Sequence, residues 1–487
     1  MNGNGWYDRV AKKHGTWFAV LIGVLVWLLP LGDGITVAQH KMLAITAGMV
    51  VAWITTSINF AVSAIALSAL LYFVVGNPTG ATKAGALIRT PSFAVSGFSN
   101  VGLWFMATSF VISISVMKTG LARRIALWLL SKLGGKPGGT VLATMAANLA
   151  LAPLTPANTA RAAAMLPIVE GINEAYGVKP GKSNFGKVIT LATTFASNIT
   201  ASAFLTGAAP GPISIAIIAA AAGMSAKLSW GYWAALALPV NVIILLLTYV
   251  YLVRAFPFEK DLRVDPGYPR AELAKMGPLS AAEKKALLYF GLTVALWATD
   301  FLHHFNASMI GFVAAFVAMA PGIGVLDWRD FQEKMPWDLF VYFGGALTLA
   351  DALNSSKAVD WLMQRLLTNL HLASLGFVGA VVLTMGFAIF AHVIFSTSTA
   401  TAAVLMPVVV SFARTQGWDI TSFALPMAFL MPYALFFPFN TMPNIIIYGA
   451  GHYTVAEQAK TAFPIGLMAW AVFIVAALTW WRWLGLF

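Results

Sequence analysis

The chain has 487 residues, of which 59% are hydrophobic and only 10% charged, with a mean hydropathy of +0.79. Soluble domains carry about 25% charge, and uncharged runs of about 20 residues are what a bilayer core requires, so a water-soluble fold is excluded. The net charge of +12 is assigned to cytoplasmic loops rather than to a nucleic-acid surface, and the absence of cysteine excludes disulfides, thiolate metal sites and thiol catalysis.

Only helices and closed barrels satisfy their backbone groups in lipid. The apolar runs are continuous rather than alternating, so the chain reads as an all-α polytopic membrane protein. Arg9, Lys12 and Lys13 precede the first run and no cleavage-like end follows, which points to a retained first helix. Apolar spans are expected near 15–32, 40–58, 60–77 and 101–117. Residues 121–134 follow as an amphipathic helix, with Leu121, Ile125, Leu129 and Leu133 on one side and Arg123, Arg124 and Ser131 on the other.

The next stretch, 139–169, is apolar on both sides of Thr155-Pro156-Ala157-Asn158-Thr159-Ala160-Arg161. At 1.5 Å per residue it is too long for one crossing, and two prolines break it. A re-entrant hairpin with a polar tip fits better than one straight span. A span over 186–222 is then broken at Thr206-Gly207-Ala208-Ala209-Pro210-Gly211-Pro212, and another span covers 230–253. The basic loop 254–285 separates this half from spans near 286–303, 307–324 and 337–353.

The second half repeats the plan. An amphipathic piece at 357–370 leads into a hairpin over 374–411 around Ser396-Thr397-Ser398-Thr399-Ala400-Thr401. A span over 421–450 is interrupted at Pro438-Phe439-Asn440-Thr441-Met442-Pro443-Asn444, and a last helix covers 461–485. Thr159 to Thr399 and Pro167 to Pro407 are both steps of 240 residues, and five of the eleven positions from 157 to 167 are identical to their partners. Five crossings between the hairpins invert the second copy. With a cytoplasmic N-terminus the basic segments 118–136, 179–187 and 254–285 come out inside, while Lys83 and Arg89 fall outside against the trend. Inverted repeats with broken helices are the plan of secondary transporters.

A broken helix exposes backbone N–H groups that bind anions. Asn158, Thr159, Ser398 and Thr399 stand where each second arm begins, so they are candidate anion ligands, or ordinary caps. Freed carbonyls at Gly207 and Asn440 could hold a small cation. An arginine at mid-depth costs about 2.5–3.5 kcal/mol on insertion scales. Arg161 therefore either meets an anionic substrate or reaches a water-filled vestibule or structural partner. His392 is either a packed histidine or a proton or substrate contact. Asp300 and Asp351 lie at expected span ends. The 17 Trp and 33 Phe read as interface belts and packing. A channel would need a continuous polar stripe. An intramembrane enzyme would rest on Ser396 or Ser398 near His392, serines that the repeat already explains, so no enzyme is expected.

These residues resemble the divalent anion:sodium symporter family over nearly the whole chain. The family's two Ser-Asn-Thr tip motifs correspond to Ala157-Asn158-Thr159 and Thr397-Ser398-Thr399, and the run from Thr155 to Arg161 is similar to the branch of 2-oxoglutarate/malate translocators and citrate/succinate antiporters. The resemblance implies an eleven-helix homodimer working as an elevator in the cell (inner) membrane and carrying di- or tricarboxylates. It implies scaffold parts at 1–136 and 255–372 and transport parts at 137–254 and 373–487. It also implies a substrate site of Asn158, Thr159, Arg161, Ala208, Thr397, Ser398, Thr399, Thr441 and Pro443. Sodium, where bound, would sit at Asn158, Gly207, Ser398 and Asn440. Pro153, Ala157 and Val393, however, stand where sodium-coupled members have side-chain oxygens, and hard cations need oxygen ligands. The expectation is sodium-independent exchange, with sodium-coupled symport of dicarboxylate or sulfate as the alternative.

Overall fold

The computed structural model describes residues 6–32, 34–76, 90–155, 157–222, 229–262, 265–370, 376–395 and 397–487. Lys83, Arg89, Pro156, Arg263 and Ser396 lie outside the described residues. Every regular element among the described residues is helical. In chain order they are α1 (Trp6–Leu28), α2 (Val37–Thr55), α3 (Phe60–Leu70), α4 (Pro91–Ala94), α5 (Val101–Thr119), α6 (Leu121–Leu133), α7 (Pro137–Leu151) and α8 (Asn158–Ala175). Then come α9 (Asn184–Ala203), α10 (Pro210–Ala222), α11 (Trp230–Ala255), α12 (Tyr268–Lys275), α13 (Ala281–Ala298), α14 (Asp300–His303), α15 (Ala307–Met319) and α16 (Trp328–Lys334). The remainder are α17 (Trp337–Ser356), α18 (Ala358–Leu370), α19 (Gly376–Ala391), α20 (Ser398–Thr415), α21 (Ile420–Ala428), α22 (Met442–Tyr448), α23 (Val455–Leu478) and α24 (Trp480–Trp483).

Among the described residues, Val37–Thr55, Val101–Thr119, Trp230–Ala255, Ser398–Thr415 and Val455–Trp483 are long and apolar enough to cross a membrane. The 240-residue step extends to the helix borders. α7 ends at Leu151 and α19 at Ala391, α8 begins at Asn158 and α20 at Ser398, and α8 and α20 finish at Ala175 and Thr415. Both expected amphipathic pieces are helices, α6 and α18. The broken spans differ in detail from the expectation. α9 stops at Ala203, ahead of Thr206, and α21 stops at Ala428, ten residues before Pro438. Hydropathy alone does not register these stops, because the segments that follow stay buried and apolar.

The chain divides into two compact units. The first comprises Met1–Leu103, Ile213–Ser225 and Pro336–Ala428. In it α1 and α2 meet through small residues: a Cβ on Gly48 would lie 2.9 Å from the Ala19 carbonyl oxygen. α3 packs on α17, where a Cβ on Gly345 would lie 2.4 Å from that of Ala64. Trp53 Nε1 donates to Ser63 Oγ at 2.9 Å, and its ring meets Tyr342 edge-on at 5.2 Å. Asp351 lies inside α17 and accepts from Ser96 Oγ at 2.8 Å. Asp360 on α18 accepts from Ser411 and Arg414 on α20, which fastens the amphipathic helix to the hairpin.

The second unit comprises Trp104–Pro212, Ala226–Met335 and Phe429–Phe487. α6 is tied to the loop after α11: Arg123 pairs with Glu272, and Arg124 pairs with Glu283 at 2.5 Å and donates to the Met276 and Gly277 carbonyls. Asp330, on the short helix α16, accepts from Lys118 and from Lys334 at 2.8 Å, and caps the Asp327 N–H at 3.0 Å. Burial alone would raise its pKa. The two lysines and the backbone donor outweigh burial and hold the carboxyl well below the usual carboxylate range. Its contribution to stability is therefore present above the unfolded value of about 3.9 and lost as pH falls below it. Asp330→Asn is expected to lower stability by about 1–2 kcal/mol at neutral pH and to flatten the acid limb of a melting curve. An unchanged melting temperature would refute this.

Candidate functional site

The first hairpin tip is built by two helix ends in the second unit. α7 stops at Leu151 because Pro153 has no N–H to offer the ladder. Thr155 turns its hydroxyl back to the Leu151 carbonyl at 2.7 Å, so the chain leaves the helix in a fixed direction. α8 begins at Asn158. Its N-cap is Ala157, whose methyl group caps nothing, so among the described residues no N-cap side chain takes up the first-turn N–H groups of Asn158 and Thr159. Both residues are half-buried. Such an end favours an anion.

Arg161 lies one turn further on and is 0% exposed. Its guanidinium reaches three backbone carbonyls: Nη2 donates to Ser197 O at 2.7 Å, and Nη1 donates to Thr155 O at 3.3 Å and to Gly207 O at 3.4 Å. Arg161 Nε, Ser197 Oγ and Asn198 Oδ1 are buried without a hydrogen-bond partner. Among the described residues, no carboxylate pairs with Arg161. The carbonyls lend partial negative charge, and the full positive charge stays uncompensated.

The first break supplies two of those contacts' surroundings. α9 is a largely buried helix of hydroxyls, and it carries most of them by bonding them to its own backbone: Thr193 to Ile189 O at 2.7 Å, Thr194 to Thr190 O at 3.0 Å and Thr200 to Ala196 O at 2.6 Å. Past Ala203 the chain folds back sharply. A Cβ on Gly207 would lie 2.4 Å from the Ala201 carbonyl oxygen, so only glycine fits there. Thr206 donates to Pro153 O at 3.3 Å and accepts from Trp230 Nε1 at 3.1 Å, which joins the break to the hairpin. Ala208 is buried beside it.

The second break lies in the same unit. Asn198 Nδ2 donates to Asn444 Oδ1 at 2.7 Å, and Asn444 in turn donates to the Ala434 and Phe437 carbonyls at 2.8 and 3.0 Å. Thr441, Pro443 and Asn440 are buried, and α22 packs against α8 and α9. Ser197 and Asn198 thus join Arg161 to the second break, as Gly207 joins it to the first, a role absent from the sequence-based expectation. The dense run Thr193-Thr194, Ser197-Asn198, Thr200 and Ser202 inside an apolar span was the signal for it.

The second tip, in the first unit, is different. Thr397 caps α20 by accepting from Ala400 N at 3.0 Å, Ser398 is buried and Thr399 half-buried. His392 is buried and its Nδ1 lies 3.0 Å from Ala388 O and 3.3 Å from Ile389 O, within its own last turn.

The chain is a set of apolar helices with a buried arginine beside a broken helix end, and the family it matches is one of membrane transporters. The profile of the family described as "Sodium:sulfate symporter transmembrane region" matches residues 11–487, and the chain belongs to that family, the divalent anion:sodium symporters. It is 32% identical over 483 residues to a membrane protein of Cupriavidus necator, covering 97% of this chain and 93% of the relative. It is 28% identical over 478 residues to an L-tartrate/succinate antiporter of Escherichia coli, covering 94% and 95%. Two solved structures share the fold: the Alcanivorax borkumensis YdaH transporter, at a TM-score of 0.54 and 14% identity over 88% of this chain and 97% of that one, and Neisseria gonorrhoeae MtrF, at 0.55 and 11% over 95% and 97%.

Asn198→Leu is expected to destabilise the protein by about 1–3 kcal/mol, because it leaves Asn444 Oδ1 buried without a donor. Thermal melting in detergent checks this, and a shift within error would remove Asn198 from the framework.

Proposed function

We propose that this chain exchanges C4-dicarboxylates, or related acids of the 2-oxoglutarate type, across the cell membrane without sodium. The observation that carries the reading is Arg161, a fully buried guanidinium held by three carbonyls with no carboxylate partner among the described residues. A dicarboxylate supplies the missing negative charge. Its oxygens suit both the unpartnered Nε of Arg161 and the uncapped N–H groups at Asn158 and Thr159. A carrier emptied of anion would have to move an unpaired charge through a low-dielectric interior, so return is favoured only with a counter-anion bound.

Two further points support independence from sodium. The Gly207 carbonyl, one of the groups a cation would use, already accepts from Arg161. Pro153, Ala157 and Val393 bring no side-chain oxygen. The relative named as an L-tartrate/succinate antiporter fits the same reading. In this proposal the protein is a homodimer with its N-terminus in the cytoplasm. Residues 137–254 and 373–487 carry the substrate as an elevator relative to the scaffold parts 1–136 and 255–372, and Ala208, Thr441 and Pro443 of the second unit add substrate contacts to those of Asn158, Thr159 and Arg161.

Uptake of labelled succinate or tartrate into proteoliposomes in sodium-free buffer tests this. Uptake is expected to rise when dicarboxylate is loaded inside. Strict sodium dependence without trans-stimulation would reject exchange and install the sodium-coupled symport that the family name suggests. Arg161→Lys, which keeps a charge but loses the planar fork, is expected to weaken apparent affinity about tenfold, and Arg161→Ala to abolish exchange. Unchanged affinity in both would take Arg161 out of the site.

A further inference from the structure

Away from Arg161, the second unit holds one more group of buried polar atoms that lack partners. Glu170 and Asn173 stand three residues apart on α8 and so share a face. His452, from the loop between α22 and α23, lies against them. Its Nε2 is 3.1 Å from Asn173 Nδ2 and 3.4 Å from Glu170 Oε1. His452 and Asn173 are each 2% exposed. Glu170 Oε1, Asn173 Oδ1 and His452 Nδ1 are all buried with no hydrogen bond. Native interiors seldom leave three such atoms together.

The surroundings hold the ring in place without offering it another charge. On α9, Gly186 closes over it, and a Cβ there would lie 2.7 Å from Nδ1. Lys187, next in sequence, is paired with Glu457 on α23. From the turn before α9, Pro180 meets Gly451. Tyr453 and Thr194 join hydroxyls at 3.0 Å and fix the loop beside the ring. Glu170 is thus the charged group that faces the imidazole.

The geometry describes two alternative hydrogen-bond arrangements. With a neutral ring, Nε2 accepts from the Asn173 amide, and Nδ1–H is the orphan. A proton taken from solvent onto Nε2 changes that nitrogen from acceptor to donor. The Asn173 amide must then turn over and present Oδ1, and Glu170 Oε1 gains an ion pair. Glu170 Oε1 and Asn173 Oδ1 acquire partners, while Asn173 Nδ2 takes the unpaired place that Oδ1 leaves, so the net gain is the ion pair with Glu170. Burial presses the imidazole below its ordinary pKa while Glu170 opposes it, so the site stands empty at neutral pH and fills in acid.

We propose that Glu170, Asn173 and His452 form a proton-binding site that makes transport pH-dependent. Glu170 is nine residues along α8 from Arg161, about 14 Å at helical rise. The loop bearing His452 follows α22 and the second break. Proton occupancy therefore changes how the helix of the buried arginine is held to the segment beyond that break. The inference holds for exchange and for symport alike.

The test compares the purified full chain with His452→Gln and Glu170→Gln. Melting in detergent is followed over about pH 5.5–8, the range in which histidine titrates. A depressed folded-state pKa means that stability falls as pH drops below the unfolded value, so the wild-type and His452→Gln curves are expected to diverge below about pH 6.5. Glu170→Gln, lacking the opposing charge, is expected to move the step to lower pH. In proteoliposomes, with tartrate as probe because its carboxyls stay ionised over this range, wild-type counterflow is expected to change about threefold or more and His452→Gln to be flat. Parallel melting curves, or a step left intact in both variants alongside a uniform fall in rate, would mark the cluster as merely structural and overturn the proposal. Should His452→Gln not fold, Glu170→Gln decides alone, and an unmoved step counts against the site.

Discussion

One guanidinium that meets no acid among the described residues sets the terms for half of this molecule. Arg161 could not stay ionised inside apolar helices without oxygen around it. One oxygen comes from within α9, the Ser197 carbonyl, and two come from backbone that has left the helix: Thr155 beyond the end of α7 and Gly207 inside the first break. The interruptions in the helices are thus part of how the charge is housed. Where a helix stops, its last carbonyls lose their N–H partners and are free to turn to a side chain, and prolines and a glycine with no room for a methyl group enforce the stops.

That arrangement also links segments far apart in sequence. Ser197 gives its carbonyl to Arg161, while the neighbouring Asn198 gives its amide to Asn444. The tip of the first hairpin and the second break are therefore held through two consecutive residues of α9. A change in how the guanidinium is satisfied has a short route, one peptide bond and one hydrogen bond, to the second break, built from polar groups that make no contact with solvent.

The large features were legible in the sequence because they rest on hydropathy and repetition. The step from Thr159 to Thr399 anticipated two matching helix interruptions, and the structure repeats it at helix borders to the residue. Amphipathic spacing found α6 and α18. What hydropathy could not show was where buried coil replaces buried helix, since Phe429 to Phe437 is as apolar as the helix before it. Nor could it show side chains bonded to distant backbone. His392, which precedes a motif, is buried with Nδ1 near two carbonyls of its own last turn, as the packed-histidine alternative has it. His452, in an ordinary-looking loop, meets a residue 279 positions away in sequence. Pairings of that kind depend on tertiary packing and leave no local trace.

The two hairpins match in length and borders but not in their helix caps. Thr397 spends its oxygen on the start of its own helix, whereas Ala157 has none to give. A hydroxyl at position 157 would act as an internal competitor for the first N–H groups of α8, as Thr397 does for those of α20. The methyl group keeps that end of the helix unsated, so one twin is self-contained and the other is open to an acceptor from elsewhere.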